Sequence, residues 1–197
     1  MTKVKICGIT NLDDAMYAIE CGADALGFVF YEKSHRYITP YDAREIIDRL
    51  PPFIEKVGLF VERSAEDIET ISYESHITLA QIHFDVDEKF LDDIAFPTLP
   101  VVRARKRDDI YKFEDRYRLI DAYTQEYGGS GKRLALEWFE ENDNSKIILA
   151  GGLDAQNVRE LSGYGFYGVD ASSGTELSKG VKDPDKIREF IANAKSI

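Results

Sequence analysis

A thiol closes the first apolar run of the chain, where Val4-Lys5-Ile6-Cys7 leads directly into Gly8. A free cysteine there is most often a small buried hydrophobe, yet as a thiolate it is also a nucleophile. An acid interrupts a second apolar run at Asp121, in Arg118-Leu119-Ile120-Asp121-Ala122. A thiol and a carboxyl at two strand ends can divide base and acid work across a small substrate. Glycines supply the other signal. Gly151-Gly152 and Ser172-Ser173-Gly174 each follow an apolar run and precede a helical start. Such turns let backbone N–H groups approach phosphate oxygens, and the helix start adds a favourable dipole. The residues of these turns, Gly151, Gly152, Ser172, Ser173 and Gly174, are therefore candidate phosphate-binding residues, the alternative being that both are merely tight turns.

Other chemistries find less support. His35, His76 and His83 share no short ligand spacing, and Cys7 and Cys21 form no cluster, so no metal is expected. No nucleophile elbow accompanies a serine. Gly128-Gly129-Ser130-Gly131-Lys132 lacks the spacing of a nucleotide loop and reads better as a lid closing over a substrate.

The elements that must position these residues alternate regularly. Strands are expected at Val4–Cys7, Ala25–Phe30, Glu55–Val61, Leu79–His83, Leu99–Arg103, Arg118–Asp121, Lys146–Ala150 and Gly168–Ala171. Helix starts lie between them: Thr39-Pro40, Ser64-Ala65-Glu66-Asp67 and Asp183-Pro184 each put a capping oxygen before the first turn. Gly22 and Gly163 mark helix exits. Arg105–Asp115 must supply a short helix or an irregular connection. Eight strand–helix units with short connections favour one closed (β/α)8 TIM barrel of near-minimal size, a single α/β domain over residues 1–197. The open doubly wound sheet lacks its glycine fingerprint here.

A barrel gathers its chemistry at the C-terminal ends of its strands. Those ends carry Cys7, Ser34-His35-Arg36, His83, Asp121, Gly151-Gly152 and Asp170. Strand alternation also turns Lys5 to the same side as Cys7. Its charge could depress the thiol pKa, or it could simply pair with an interior carboxylate.

The 197 residues carry a net charge of −11, with no basic stripe to neutralise phosphates, so nucleic acid is not an expected partner. No run is apolar enough for a membrane span. Two cysteines and no leader-like start suggest a cytoplasmic protein. A monomer is expected, with a dimer as the alternative.

The stretches "KICGIT" (5–10), "GADALGFVFYEKSHRYI" (22–38), "QIH" (81–83), "GGSGK" (128–132), "LAGGL" (149–153) and "GVDASSGTELSKGVKD" (168–183) resemble the phosphoribosylanthranilate isomerase family along essentially the whole chain. The resemblance implies a cofactor-free Amadori rearrangement of a phosphorylated small molecule in tryptophan biosynthesis. By that resemblance Cys7 is the general base and Asp121 the general acid. Arg36 pairs with the anthranilate carboxylate, and His83 and Asp170 line the site. Arg133-Leu134-Ala135-Leu136-Glu137-Trp138 departs from the family pattern, as does Phe84 after "QIH". Two alternatives are a histidine-pathway sister isomerase and a non-catalytic phosphate-binding barrel.

Overall fold

The computed structural model describes residues 1–123 and 133–197, so the Gly128–Lys132 stretch read as a lid lies outside the described residues. Eight parallel strands close a barrel in sequence order. They are β1 (Lys3–Cys7), β2 (Ala25–Val29), β3 (Glu55–Phe60), β4 (Leu79–Ile82), β5 (Thr98–Ala104), β6 (Arg118–Ala122), β7 (Ile147–Leu149) and β8 (Gly168–Ala171). Each boundary lies within one residue of its expected place. Closure is direct, since Lys5 of β1 is in register with Ala25 of β2 and with Asp170 of β8.

The two faces of the strands bury different things. Val4 and Ile6 point outward into the apolar layer shared with the helices. Inside the barrel, Leu99, Val101, Leu119 and Ala150 form a separate small apolar cluster. Other barrel positions are polar and buried, among them Lys5 and Gln81. That polar content is costly to bury without partners, which already points to a site.

Among the described residues five α-helices surround the barrel: α1 (Leu12–Glu20), α2 (Pro40–Ile47), α3 (Ala65–Ser75), α4 (Glu88–Asp92) and α5 (Pro184–Lys195). The side chains of Thr39, Ser64 and Asp183 cap α2, α3 and α5 as expected, and Asn11 and Asp87 cap α1 and α4. Each such cap is worth about 1 kcal/mol. After β5, β6 and β7 the described connections hold 3₁₀ turns in place of helices, at Arg107–Tyr111, Leu136–Trp138 and Asn157–Leu161. Local side-chain bonds explain two of them. Asp109 Oδ2 accepts from the N–H groups of Arg105 and Lys106 at 2.8 and 3.2 Å. Asp154 Oδ1 does the same for Gln156 and Asn157, both at 2.9 Å, and positive-φ glycines at 163 and 165 end the turn early. After β8, a 3₁₀ turn (Ser173–Thr175) leads into a hairpin of β9 (Glu176–Ser178) and β10 (Val181–Lys182).

Candidate active site

The C-terminal ends of the strands enclose one open cavity of about 880 Å³. Cys7, Arg36, His83, Asp121, Gly152, Asp170, Ser172 and Ser173 all line it. Gly174 does not. A Cβ on Gly174 would collide with the Leu153 carbonyl oxygen, so this glycine lets the eighth-strand turn pack against the loop after the seventh strand.

Cys7 is buried at the end of β1, and Lys5 lies one inward position below it. The Lys5 ammonium bonds Asp170 Oδ1 at 2.8 Å, so it does pair with an interior carboxylate. It also crowds the thiol: a Cβ on Gly27 would meet Cys7 Sγ at 2.8 Å and Lys5 Nζ at 3.0 Å. Only glycine on β2 leaves room for that pair. Burial pushes the Cys7 thiol up; the Lys5 charge pulls it back, Asp170 adds to the rise, and Lys182 opposes it. The net direction is upward. Lys5 therefore does act to depress the thiol, as expected, but desolvation of the thiolate is larger. Lys5 itself is pulled down by burial, but Asp170 and Cys7 outweigh this and its pKa stands raised.

Three strands away around the ring, Asp121 ends the inward face of β6, in register with Arg103 of β5. Burial pushes its carboxyl up to about 6, with the Asp170 charge adding to the rise. Near neutral pH a tenth or so of the molecules therefore carry the proton. His83 follows β4, its Nε2 3.8 Å from Asp121 Oδ2 and its Nδ1 3.2 Å from Gln81 Nε2. Burial, then the positive charges of Arg103 and Lys5, push His83 down to about 3, so it is neutral beside the acid. As a neutral ring it accepts one hydrogen bond and donates one, and carries no charge to offset.

Arg36 is gripped at the other side of the cavity. Its Nε and Nη2 donate to the two carboxylate oxygens of Glu176 at 2.6 and 2.8 Å, a bidentate fork. Among the described residues no acceptor meets Nη1. The Ser172 hydroxyl oxygen is buried with no protein partner among the described residues, as is Gln81 Oε1. A buried hydroxyl without a partner on a glycine-flanked turn suits a ligand oxygen. Sequence reasoning missed Glu176, Lys182, Gln81 and Arg103. A charged residue on a short strand was the only available signal for the first two.

Two opposed ionisable groups, a guanidinium fork and a turn with an orphan hydroxyl converge in one cavity on this barrel. The comparisons agree with it. The family model for N-(5'-phosphoribosyl)anthranilate (PRA) isomerase matches residues 4–193. A curated N-(5'-phosphoribosyl)anthranilate isomerase from Sulfurovum sp. (strain NBC37-1) is 65% identical over 195 residues, covering 99% of this chain and 100% of its own. The crystal structure of phosphoribosyl anthranilate isomerase from Thermotoga maritima superposes with a TM-score of 0.92 at 39% identity, each chain covered in full. A further solved isomerase, in complex with reduced 1-(o-carboxyphenylamino)-1-deoxyribulose 5-phosphate, matches with a TM-score of 0.85 at 38% identity and full coverage of both chains. With its barrel and nearly its whole length matched, the chain belongs to the N-(5'-phosphoribosyl)anthranilate isomerase family.

Proposed function

We propose that the protein rearranges N-(5'-phosphoribosyl)anthranilate to 1-(o-carboxyphenylamino)-1-deoxyribulose 5-phosphate, with Asp121 as general acid and Cys7 as general base. Asp121 donates its proton to the furanose ring oxygen, the C1–O bond breaks, and the nitrogen lone pair forms the iminium. Cys7 then removes the C2 proton, and the electron pair moves to give the enolamine. Tautomerisation places a proton on C1 and leaves the C2 ketone, so the reaction is balanced without a cofactor. His83 stays neutral 3.8 Å from Asp121 and so does not compete with it for charge. Asp170 serves through Lys5, which it holds beside the thiol. Arg36 takes the anthranilate carboxylate, a planar acceptor suited to a guanidinium. Gly152, Ser172 and Ser173 hold the phosphate, with Gly174 shaping the turn.

One observation carries this reading: a raised carboxyl on β6 faces the cavity that also contains the β1 thiol. Acid and base need not be permanently ready. The form with Asp121 protonated and Cys7 deprotonated is a minor one in the free enzyme, and catalysis draws on it. All of these groups come from one chain, which supports a monomer as the catalytic unit. Cys7 and Cys21 are both free thiols, which suits a reducing cytoplasm.

The test is loss of substrate fluorescence when the purified protein meets freshly generated phosphoribosylanthranilate, with ¹³C NMR identifying the C2 ketone. Turnover to the ketone is expected. An inert protein that still binds the reduced product would support the phosphate-binding barrel, and turnover of the histidine-pathway substrate alone would support the sister isomerase.

A further inference from the structure

The hairpin after the phosphate turn is built inside out. Glu176 is buried at 5% exposure while Leu177 next to it is 71% exposed, and Val181 is 51% exposed while Lys182 is 5% exposed. Burying the charges and exposing the aliphatic residues is the reverse of what stability asks of a two-stranded ribbon. The buried lysine is fully engaged. Its Nζ donates to the Cys7 carbonyl at 2.7 Å, the Ser172 carbonyl at 3.1 Å and Thr175 Oγ1 at 3.1 Å, and lies 3.4 Å from Glu176 Oε1. An ammonium has three protons, and these four contacts use them up.

The acceptors belong to separate parts of the site: the end of the strand carrying the thiol, the turn carrying the orphan hydroxyl, and the carboxylate gripping Arg36. Charge completes the picture. Glu176 fixes the guanidinium plane of Arg36 but cancels its charge. Lys182 restores a net positive charge to the trio, so that the anchor still attracts a carboxylate.

We propose that Lys182 is a positioning residue for the isomerisation, one buried ammonium that fixes the Cys7 backbone, the phosphate turn and the Arg36–Glu176 fork together and keeps the anchor cationic. This rests on the roles proposed above for Cys7, Ser172 and Arg36. The sequence stretch Leu177-Ser178-Lys179-Gly180-Val181-Lys182 does not single out Lys182 from Lys179, which is solvated.

The experiment uses the full chain in a Cys21→Ser background, so that Cys7 is the only thiol. Lys182→Met removes donors and charge; Lys182→Gln keeps donors without the charge. Three readouts follow: steady-state kinetics on phosphoribosylanthranilate, competitive inhibition by inorganic phosphate, and iodoacetamide alkylation of Cys7 against pH. Circular dichroism and urea midpoints report folding. Lys182→Met is expected to raise KM and weaken phosphate inhibition by at least about tenfold, as for loss of charged hydrogen bonds. It should also move the alkylation midpoint upward, because Lys5 then faces Asp170 without a second cation. Lys182→Gln should keep kcat closer to the parent while KM still rises. A lower urea midpoint with KM, phosphate inhibition and alkylation unchanged would overturn the proposal and leave Lys182 a structural staple; so would failure of both variants to fold. If the parent itself does not turn over, the isomerase reading fails, and phosphate inhibition gives way to phosphate binding, which together with alkylation still judges Lys182.

Discussion

Replacing Asp121 by asparagine should stabilise the protein while abolishing its turnover. The carboxyl is largely buried and its pKa stands at about 6, against an ordinary value of 3.8. A folded state that holds the proton more tightly than the unfolded one loses stability as pH rises between those two values. At pH 8 the ionised side chain therefore costs about 3 kcal/mol, at 1.36 kcal/mol per pKa unit. Asparagine keeps the shape and never ionises. Urea denaturation of the wild type and Asp121→Asn should show a gain of about 3 kcal/mol at pH 8 and about half of that at pH 5, where the wild-type carboxyl is mostly protonated in the folded state. The change between the two pH values is the diagnostic, because any packing difference of the amide is common to both. A gain that does not vary with pH, or a loss at pH 8, would refute the claim that burial makes Asp121 a held proton.

Other consequences follow from the same geometry. Lys5→Met leaves Asp170 buried without its ion-pair partner and should cost about 3–5 kcal/mol in urea denaturation at pH 7.5. It should also shift Cys7 alkylation to higher pH, and an unshifted alkylation curve would remove Lys5 from the account. Gly27→Ala puts a methyl 2.8 Å from Cys7 Sγ, so a folded variant destabilised by about 1–3 kcal/mol should lose more activity than its stability explains. Normal turnover would show that the thiol need not sit where β2 allows it. The pH profile of kcat/KM should rise up to about pH 6 and then level off. Below that value Asp121 is protonated and the thiolate grows with pH, and above it the loss of one proton offsets the loss of the other. His83 adds no limb near its ordinary value, since it is held down at about 3. A tenfold fall per pH unit beginning at pH 6 would contradict this pairing.

Cys7 and Asp121 were legible because each is an ionisable residue where an apolar strand ends, and a barrel gathers those ends in one place. The strands were legible for a related reason: runs such as Ala25–Val29 and Lys146–Ala150 are short, apolar and bounded by turn residues. The connections were less so. Over five residues such as Asn157–Leu161, a 3₁₀ turn and a short α-helix share one hydrophobic spacing, and what decides between them is the Asp154 side chain seizing the backbone ahead of the turn. Glu176 and Lys182 were invisible for a deeper reason. Their burial exists only because the hairpin folds back over Arg36, and its apolar residues face outward, so pattern alone assigns the wrong side. The Lys5 charge was foreseen with the right sign, but its rank against desolvation depends on how dry the barrel interior is, which no spacing reveals.

The proposed catalysis rests on the division of labour between Cys7 and Asp121. Single-turnover kinetics on phosphoribosylanthranilate with wild type, Cys7→Ala and Asp121→Ala, alongside binding of the reduced product, tests it directly. Both variants should bind the reduced product as the wild type does and react at least about 100-fold more slowly, the lower bound for losing a general acid or base. A Cys7→Ala protein that reacts within a few-fold of the wild type would contradict it, leaving the isomerase without its thiol base.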